Sequence, residues 1–416
     1  MAEDGRIGDT AWLLPRYYLV RVANTSGFFL PVAILILQDK GFGLAFIGLA
    51  YAVYAVAKLV VEVPTGYLGD LLGRRASLAL GSVIRALVIG GYPFIPNEAL
   101  YLWVHVLWAV GRAFRSGTQN AWLYEILQAR FDESEFARIE SRGNTLKLVT
   151  DAGTALAGGA LYTIDPALPF VATAAIALTG VPLLATFPSI DRLRDSEAVD
   201  PVERDPLSVR DAIELLRLQA ARPALRWFVA YAAVFYSLFV VTRIYEQPAL
   251  DAVGVPVAGF GVLYAGFKLV SAGGAASVGR LHAALGTRGV LVAMAPVYGL
   301  AYASILLTPL AVLPVLFLNR AVRTVTSPVI DQYLNDRLDD IGRATVLSGV
   351  SMALALVGAA ARVVAGEASE LLGAVGFLPW AGVLLSLVGV GLWALTNPVR
   401  ASGVTSPYRP DGSPGD

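Results

Sequence analysis

The sequence predicts an all-α integral membrane protein, with twelve transmembrane helices arranged as two pseudo-symmetric bundles of six. Three observations predict it. First, only 15% of the 416 residues are charged and 56% are hydrophobic, with a mean hydropathy of +0.62. A soluble domain carries about 25% charge, so lipid rather than water solvates much of this surface. Second, twelve apolar segments fall six and six on either side of a charged stretch. Third, short marks in the first half return in the second at a fixed offset.

A spanning helix needs about 20 mostly apolar residues. The first six candidates are 16–37, 43–65, 76–96, 99–127, 144–163 and 167–187, and the second six are 225–247, 257–279, 289–308, 310–334, 345–368 and 374–396. Breaks between them fall at turn residues such as Asp39-Lys40-Gly41, Pro96-Asn97 and Asp165-Pro166. The first segment carries Arg16 and Arg21 and has no small-residue cleavage site, so it reads as a spanning helix and not a cleaved leader. Four divisions follow: a bundle over 1–188, a loop over 189–224, a second bundle over 225–397, and a disordered tail over 398–416. The loop holds Pro201, Pro206 and Pro223, and its stretch 209–220 has the apolar spacing of a surface helix. The tail is rich in Pro, Gly and Ser.

Lysine and arginine in the links set orientation. One side holds Arg74, Arg75, Arg130, Arg138, Arg142, Arg280, Arg288, Arg337 and Arg343, with seven more arginines between Arg192 and Arg226 in and beside the middle loop; the other side has Lys40 and little else. Both termini and the middle loop are therefore expected in the cytoplasm, with the protein in the cell membrane.

The link Gly66-Tyr-Leu-Gly-Asp70-Leu-Leu-Gly73-Arg74-Arg75 packs three charges between glycines where the chain leaves the membrane and returns. A degraded copy lies 213 residues on, with Gly66, Leu68, Gly73 and Arg75 matching Gly279, Leu281, Gly286 and Arg288, while Asp70 becomes Ala283. Gly48-Leu-Ala-Tyr51 matches Gly261-Val-Leu-Tyr264 at the same offset of 213, and Arg112, Arg115 and Thr118 match Arg320, Arg323 and Thr326 at an offset of 208. Parallel repeats of this kind build transporters whose substrate sites lie at the midplane between the halves.

The first copy closely resembles the motif between helices 2 and 3 of the major facilitator superfamily, roughly G-x-L-a-D-r-x-G-r-r, and segment count and repeat extend the resemblance over almost the whole chain. It implies a secondary active transporter working by alternating access, monomeric, with a latch at Gly66, Asp70, Gly73, Arg74 and Arg75 that ties the halves together on the cytoplasmic face. The bland alternative is that Arg74 and Arg75 only enforce orientation. Proton-coupled exporters of this superfamily also carry an arginine resembling Arg112, which the resemblance assigns to proton handling. Their fifth helix has a Gly-rich pattern with a Gly-Pro step; Gly153, Gly158 and Gly159 are present here and the proline is not.

An ionisable group at membrane depth costs roughly 2.5–3.5 kcal/mol on insertion scales, so it faces a cavity or a partner. Arg112 and Arg115 share a helix face, as do Arg320 and Arg323. If both pairs face the centre, four guanidinium groups clamp an anion by bidentate contacts; the alternative is that each is tied within its own half. Arg21, Asn24 and Gln119 complete the expected cavity. Lys58–Glu62 and Lys147–Asp151 are spaced by four and either neutralise each other or supply a proton acceptor, Asp151 before Glu62.

Two transport readings therefore stand: proton-coupled efflux of drugs or metabolites, and transport of an organic anion through the paired arginines. Outside transport, a receptor or sensor on the same fold is the alternative, though the loop and tail leave little room for a soluble module. Nothing points to an enzyme: there is no nucleophile elbow and no phosphate-binding loop. With no Cys and only His105 and His282, no metal or other cofactor is expected. The balanced charge gives no nucleic-acid footprint. The expected partners are a small-molecule substrate, protons and the bilayer.

Overall fold

The turns between helices are fixed by a few residues that cannot be helical. The computed structural model describes residues 12–130, 135–187, 223–338 and 343–399, and these are helical with short connections. In chain order the helices are α1 (Leu13–Ala23), α2 (Leu35–Asp39), α3 (Leu44–Leu72), α4 (Arg74–Gly91), α5 (Glu98–Ala113), α6 (Thr118–Arg130), α7 (Phe136–Ile164), α8 (Leu168–Ala185), α9 (Pro223–Ala252), α10 (Val257–Ala303), α11 (Val312–Asn335) and α12 (Arg343–Thr396).

Seven of them are long and apolar enough to cross a membrane, and two of these spans, Val257–Leu306 and Thr345–Thr396, run to 50 and 52 residues. A straight helix of that length would reach about 75 Å at 1.5 Å per residue, against a hydrocarbon core of about 30 Å. Each turns back instead at a glycine with positive φ, Gly286 (φ 63°, ψ 170°) in α10 and Gly373 (φ 73°, ψ 159°) in α12. Gly73 between α3 and α4 has nearly the same geometry (φ 80°, ψ 154°). Gly73 and Gly286 are the matched glycines of the sequence repeat, and a residue without Cβ is what this backbone region requires. With α10 and α12 each counted as two crossings, the expected segments missing from these spans are the first, the fourth and the fifth, which are broken or rich in charge.

Two segments expected as continuous helices are interrupted. The first breaks after Ala23: Asn24 to Phe29 are non-helical, followed by a 3-10 turn at Leu30–Val32. The fourth breaks between α5 and α6, where Gly117 takes φ 72°. The start of α5 follows the sequence closely. Asn97 accepts a hydrogen bond from the Leu100 N–H at 3.0 Å, and Glu98 occupies the first turn.

The two halves meet at one end of the molecule. α3 packs on α12 there: a Cβ on Gly48 would overlap the Arg362 carbonyl oxygen and lie 3.1 Å from the Gly366 Cα. α7 packs on α10 in the same way: a Cβ on Gly261 would overlap the Ala155 carbonyl oxygen and lie 3.1 Å from the Leu156 Cα. Gln247 on α9 closes the middle, accepting from the Ile34 N–H at 2.8 Å and donating to the Leu30 carbonyl at 2.8 Å. Gly48 and Gly261 are again repeat partners, so the duplicated sequence supplies both seams. The middle loop from 188 to 222, its expected surface helix at 209–220, and the tail from 400 lie outside the described residues; α9 begins at Pro223, two residues before the expected boundary.

A cationic cavity between the halves

Below the closed end lies a central cavity of about 530 Å³, within the range of small-molecule sites. Eight cationic side chains line it, Lys58, Arg85, Arg112, Arg115, Lys147, Arg243, Lys268 and Arg362, against two acidic ones, Asp151 and Glu246. Both halves contribute. The closed end is buried: Gln247 is 2% exposed and Tyr264 4%. Away from that end the lining is more exposed: the side chains of Lys58, on the helix that leads to Gly66–Arg75, and of Lys147 and Lys268 are 34%, 28% and 31% exposed.

Asp151 explains the break in the first segment. Its Oδ1 accepts from the Ser26 N–H at 2.9 Å and from Thr25 Oγ1 at 2.8 Å. Arg85 donates to the Thr25 carbonyl and, at 3.1 Å, to Ser26 Oγ. Backbone groups released from the helix are thus satisfied by two ionic side chains, which is how irregular backbone persists at membrane depth. The other carboxylate oxygen, Oδ2, takes Lys147 at 2.6 Å and Lys268 at 3.6 Å. Lys268 comes from the opposite half, so Asp151 also bridges the halves.

The arginine pairs are not used symmetrically. Arg112 and Arg115 line the cavity, and so does Asn24. Arg320 and Arg323 do not. Arg320 Nη2 binds Glu246 Oε2 at 2.5 Å and its guanidinium lies over Phe267, while Arg323 lies over Tyr236 and Phe239 at 5.6 and 5.2 Å. Glu246, buried on α9, is the physical reason: it neutralises Arg320 inside its own half. The cavity cations of the second half are Arg243, Lys268 and Arg362 instead.

Arg21 and Gln119 are also drawn away from the cavity. Arg21 Nη1 binds Glu140 Oε1 at 3.1 Å, Tyr17 donates to Glu140 Oε2 at 2.7 Å, and the Gln119 amide, turned so that its oxygen faces the guanidinium, accepts from Arg21 Nη1 at 2.6 Å. This knot ties α1, α6 and α7 together. Glu62 is exposed on α3 at 3.9 Å from Lys58. In the hairpin, Gly66 is exposed, Arg74 Nε binds Glu125 Oε1 at 3.2 Å, and Arg75 donates to the Phe187 carbonyl; both partners lie in the first half. The Asp70 side chain is outside the described residues.

Sequence reasoning missed Glu246 and Gln247 because they close an apolar segment where a helix end was expected. The available signal was Arg243 and Glu246, three apart on one helix face. Glu246 is 2% exposed and also accepts from Tyr264 Oη. Removing one partner of a buried pair costs roughly 3–5 kcal/mol. Glu246→Gln should therefore lower the thermal unfolding midpoint of the purified protein clearly, and Glu246→Asp should recover part of it. An unchanged midpoint would show that Arg320 needs no counter-charge.

Comparisons with known proteins agree with this architecture. The family model of the Major Facilitator Superfamily matches residues 18–351. The Uncharacterized MFS-type transporter YxaM of Bacillus subtilis (strain 168) is 26% identical over 243 residues, 58% of each chain. The Uncharacterized MFS-type transporter MJ1317 of Methanocaldococcus jannaschii is 23% identical over 130 residues, 31% of each. The chain thus spans under two thirds of either relative's length. Among solved structures, the nucleoside transporter NupG superposes with a TM-score of 0.72 at 13% identity, covering 91% of this chain and 96% of that one. A bacterial homologue of the human lysosomal transporter Spinster, in an inward-facing and occupied conformation, gives 0.70 at 15% identity over 93% and 96%. The D-xylose-proton symporter gives 0.68 at 12% over 92% and 96%. At these identities the likeness is one of fold.

Proposed function

The chain belongs to the major facilitator superfamily, whose members are membrane transporters and not enzymes, and from that premise we propose that it carries a small organic anion across the membrane by alternating access. One observation carries the reading: eight cationic side chains face two acidic ones in a single cavity built by both halves. A charge placed in a low-dielectric cavity is worth far more than in water. An anion is stabilised there and a lipophilic cation repelled. This favours the anion reading of the sequence over efflux of cationic drugs. Arg112 keeps a substrate role in it rather than one in proton handling.

The arginine-rich side of the chain is taken as cytoplasmic. The conformation is then closed to the outside and open to the cytoplasm, the opening lying at the Gly66–Arg75 end. Asp151 acts as the anchor of the first span and of Lys268, and a proton bound there would have to displace two ammonium groups.

The test is reconstitution in liposomes under clamped voltage, with radiolabelled aromatic and aliphatic carboxylates on one side and lipophilic cations in a parallel set. Anion movement is expected, with Arg112→Ala reducing it by about tenfold or more, the loss of one charge-assisted contact. Transport of the cations alone would overturn the reading.

A further inference from the structure

The cavity arginines form two poles with an aromatic wall between them. The first pole belongs to one half: Arg85 on α4, Arg112 on α5 and Arg115 beyond its end. Arg85 is 6% exposed, and its Nη1, like the Arg115 Nε, is buried with no hydrogen-bond partner. The second pole belongs to the other half, with Arg243 on α9 and Arg362 on α12, and the Arg362 Nη1 is likewise buried and unpartnered. Among the described residues, none of the five has a carboxylate at ion-pair distance. Lys147 and Lys268 share Asp151, and Lys58 has Glu62.

Trp108 and Tyr54 form the wall, their ring centroids 5.2 Å apart, with Tyr51 behind at 6.5 Å from Trp108. Tyr54 lies within electrostatic reach of both Arg112 and Arg362. Arg112 is one helical turn from Trp108 on the same face of α5. One arginine of each pole, Arg112 and Arg362, therefore lies near the same aromatic surface.

A guanidinium fork is satisfied by a planar two-oxygen group. A monoanion supplies one pole and leaves the other with a buried, unpaired donor and the mutual repulsion of its arginines, both of which are costly. We infer that the substrate is a small organic dianion, its two acidic groups held one at each pole and its flat apolar middle lying against Tyr54 and Trp108. This rests on the anion reading above and deepens it. Because the poles sit on opposite halves, such a substrate ties the halves together, whereas a monoanion binds one and leaves them uncoupled.

The experiment is equilibrium binding to the purified full-length protein by calorimetry, with terephthalate, benzoate and succinate as probes. Terephthalate should bind at least about tenfold more tightly than benzoate, with one molecule per protein, and more tightly than succinate, which lacks the ring. Arg362→Lys and Arg112→Lys keep the charge and remove the fork. Each should weaken terephthalate by about tenfold, and at least one of them should leave benzoate within about twofold. Thermal midpoints of the variants confirm folding. Equal affinities for terephthalate and benzoate, or two benzoates bound per protein with no gain for the dianion, would overturn the two-pole site while leaving the anion reading standing. Binding of none of the three by folded protein would overturn the anion reading itself.

Discussion

Gly261→Leu should hold the closed end open and abolish transport without unfolding the protein. A Cβ at this position would overlap the carbonyl oxygen of Ala155 and lie 3.0 Å from its carbonyl carbon. Those are backbone atoms of α7, so no rotamer change relieves the clash, and the helices must part. Parting them is what the opposite state of the transport cycle does, so the overlap penalises one state and spares the other. Moving a two-state equilibrium from 1:99 to 99:1 takes about 5.5 kcal/mol; overpacking costs about 1–3 kcal/mol and occasionally more, and an overlap with backbone that cannot rotate away lies at the upper end, enough to displace most of the population from the closed state. Gly48→Leu should act alike through Arg362 and Tyr245, whose atoms would meet the new side chain on α12 and α9. The chain has no cysteine, so a single cysteine at Leu30, under Gln247, reports access from the closed side to a membrane-impermeant maleimide. Labelling should be slow in the parent and fast in Gly261→Leu, while exchange of labelled substrate stops. Gly391→Ala is the control, since a Cβ there meets nothing within 4 Å. Slow labelling with normal transport in Gly261→Leu would mean that the α7–α10 contact does not open.

These seams also mark how far the sequence could be read. The repeat was legible wherever one residue type is imposed by backbone geometry: Gly73 and Gly286 match at offset 213 because both turn with positive φ. Gly48 and Gly261 were legible as a repeat but not as seams, because what opposes them lies more than a hundred residues away in the chain. The arginine repeat misled for a related reason. Arg320 copies Arg112 in sequence, yet Glu246 captures it, and the position 213 residues before Glu246 is Ala33. The first half thus has no equivalent acid, and Arg112 stays in the cavity. Helix breaks were the least legible feature. The segment 16–37 reads as one helix because apolar residues flank the short polar stretch Asn24-Thr25-Ser26-Gly27, and the groups that stabilise the interruption, Asp151 and Arg85, are distant in the chain.

Asp151→Asn is expected to cost stability and transport together. The Asp151 side chain is 4% exposed and gathers four donors: Thr25 Oγ1, the Ser26 N–H, Lys147 and Lys268. An asparagine can keep the two contacts to the first span through its oxygen. Its amide nitrogen then points donors at two ammonium groups that have lost the counter-charge they share. Breaking a fully buried pair costs roughly 3–5 kcal/mol, and with the lysines about 30% exposed the lower end applies. The thermal midpoint should fall and transport should be lost. Lys268→Met in the Asp151→Asn background should recover part of the midpoint, because it removes one stranded charge and replaces it with apolar contact. That rescue separates the anchor role from a proton-carrying one. A proton carrier replaced by asparagine stays folded, still binds anions and moves them without a pH response. An anchor replaced by asparagine loses stability first, and recovers it when its stranded partner is removed.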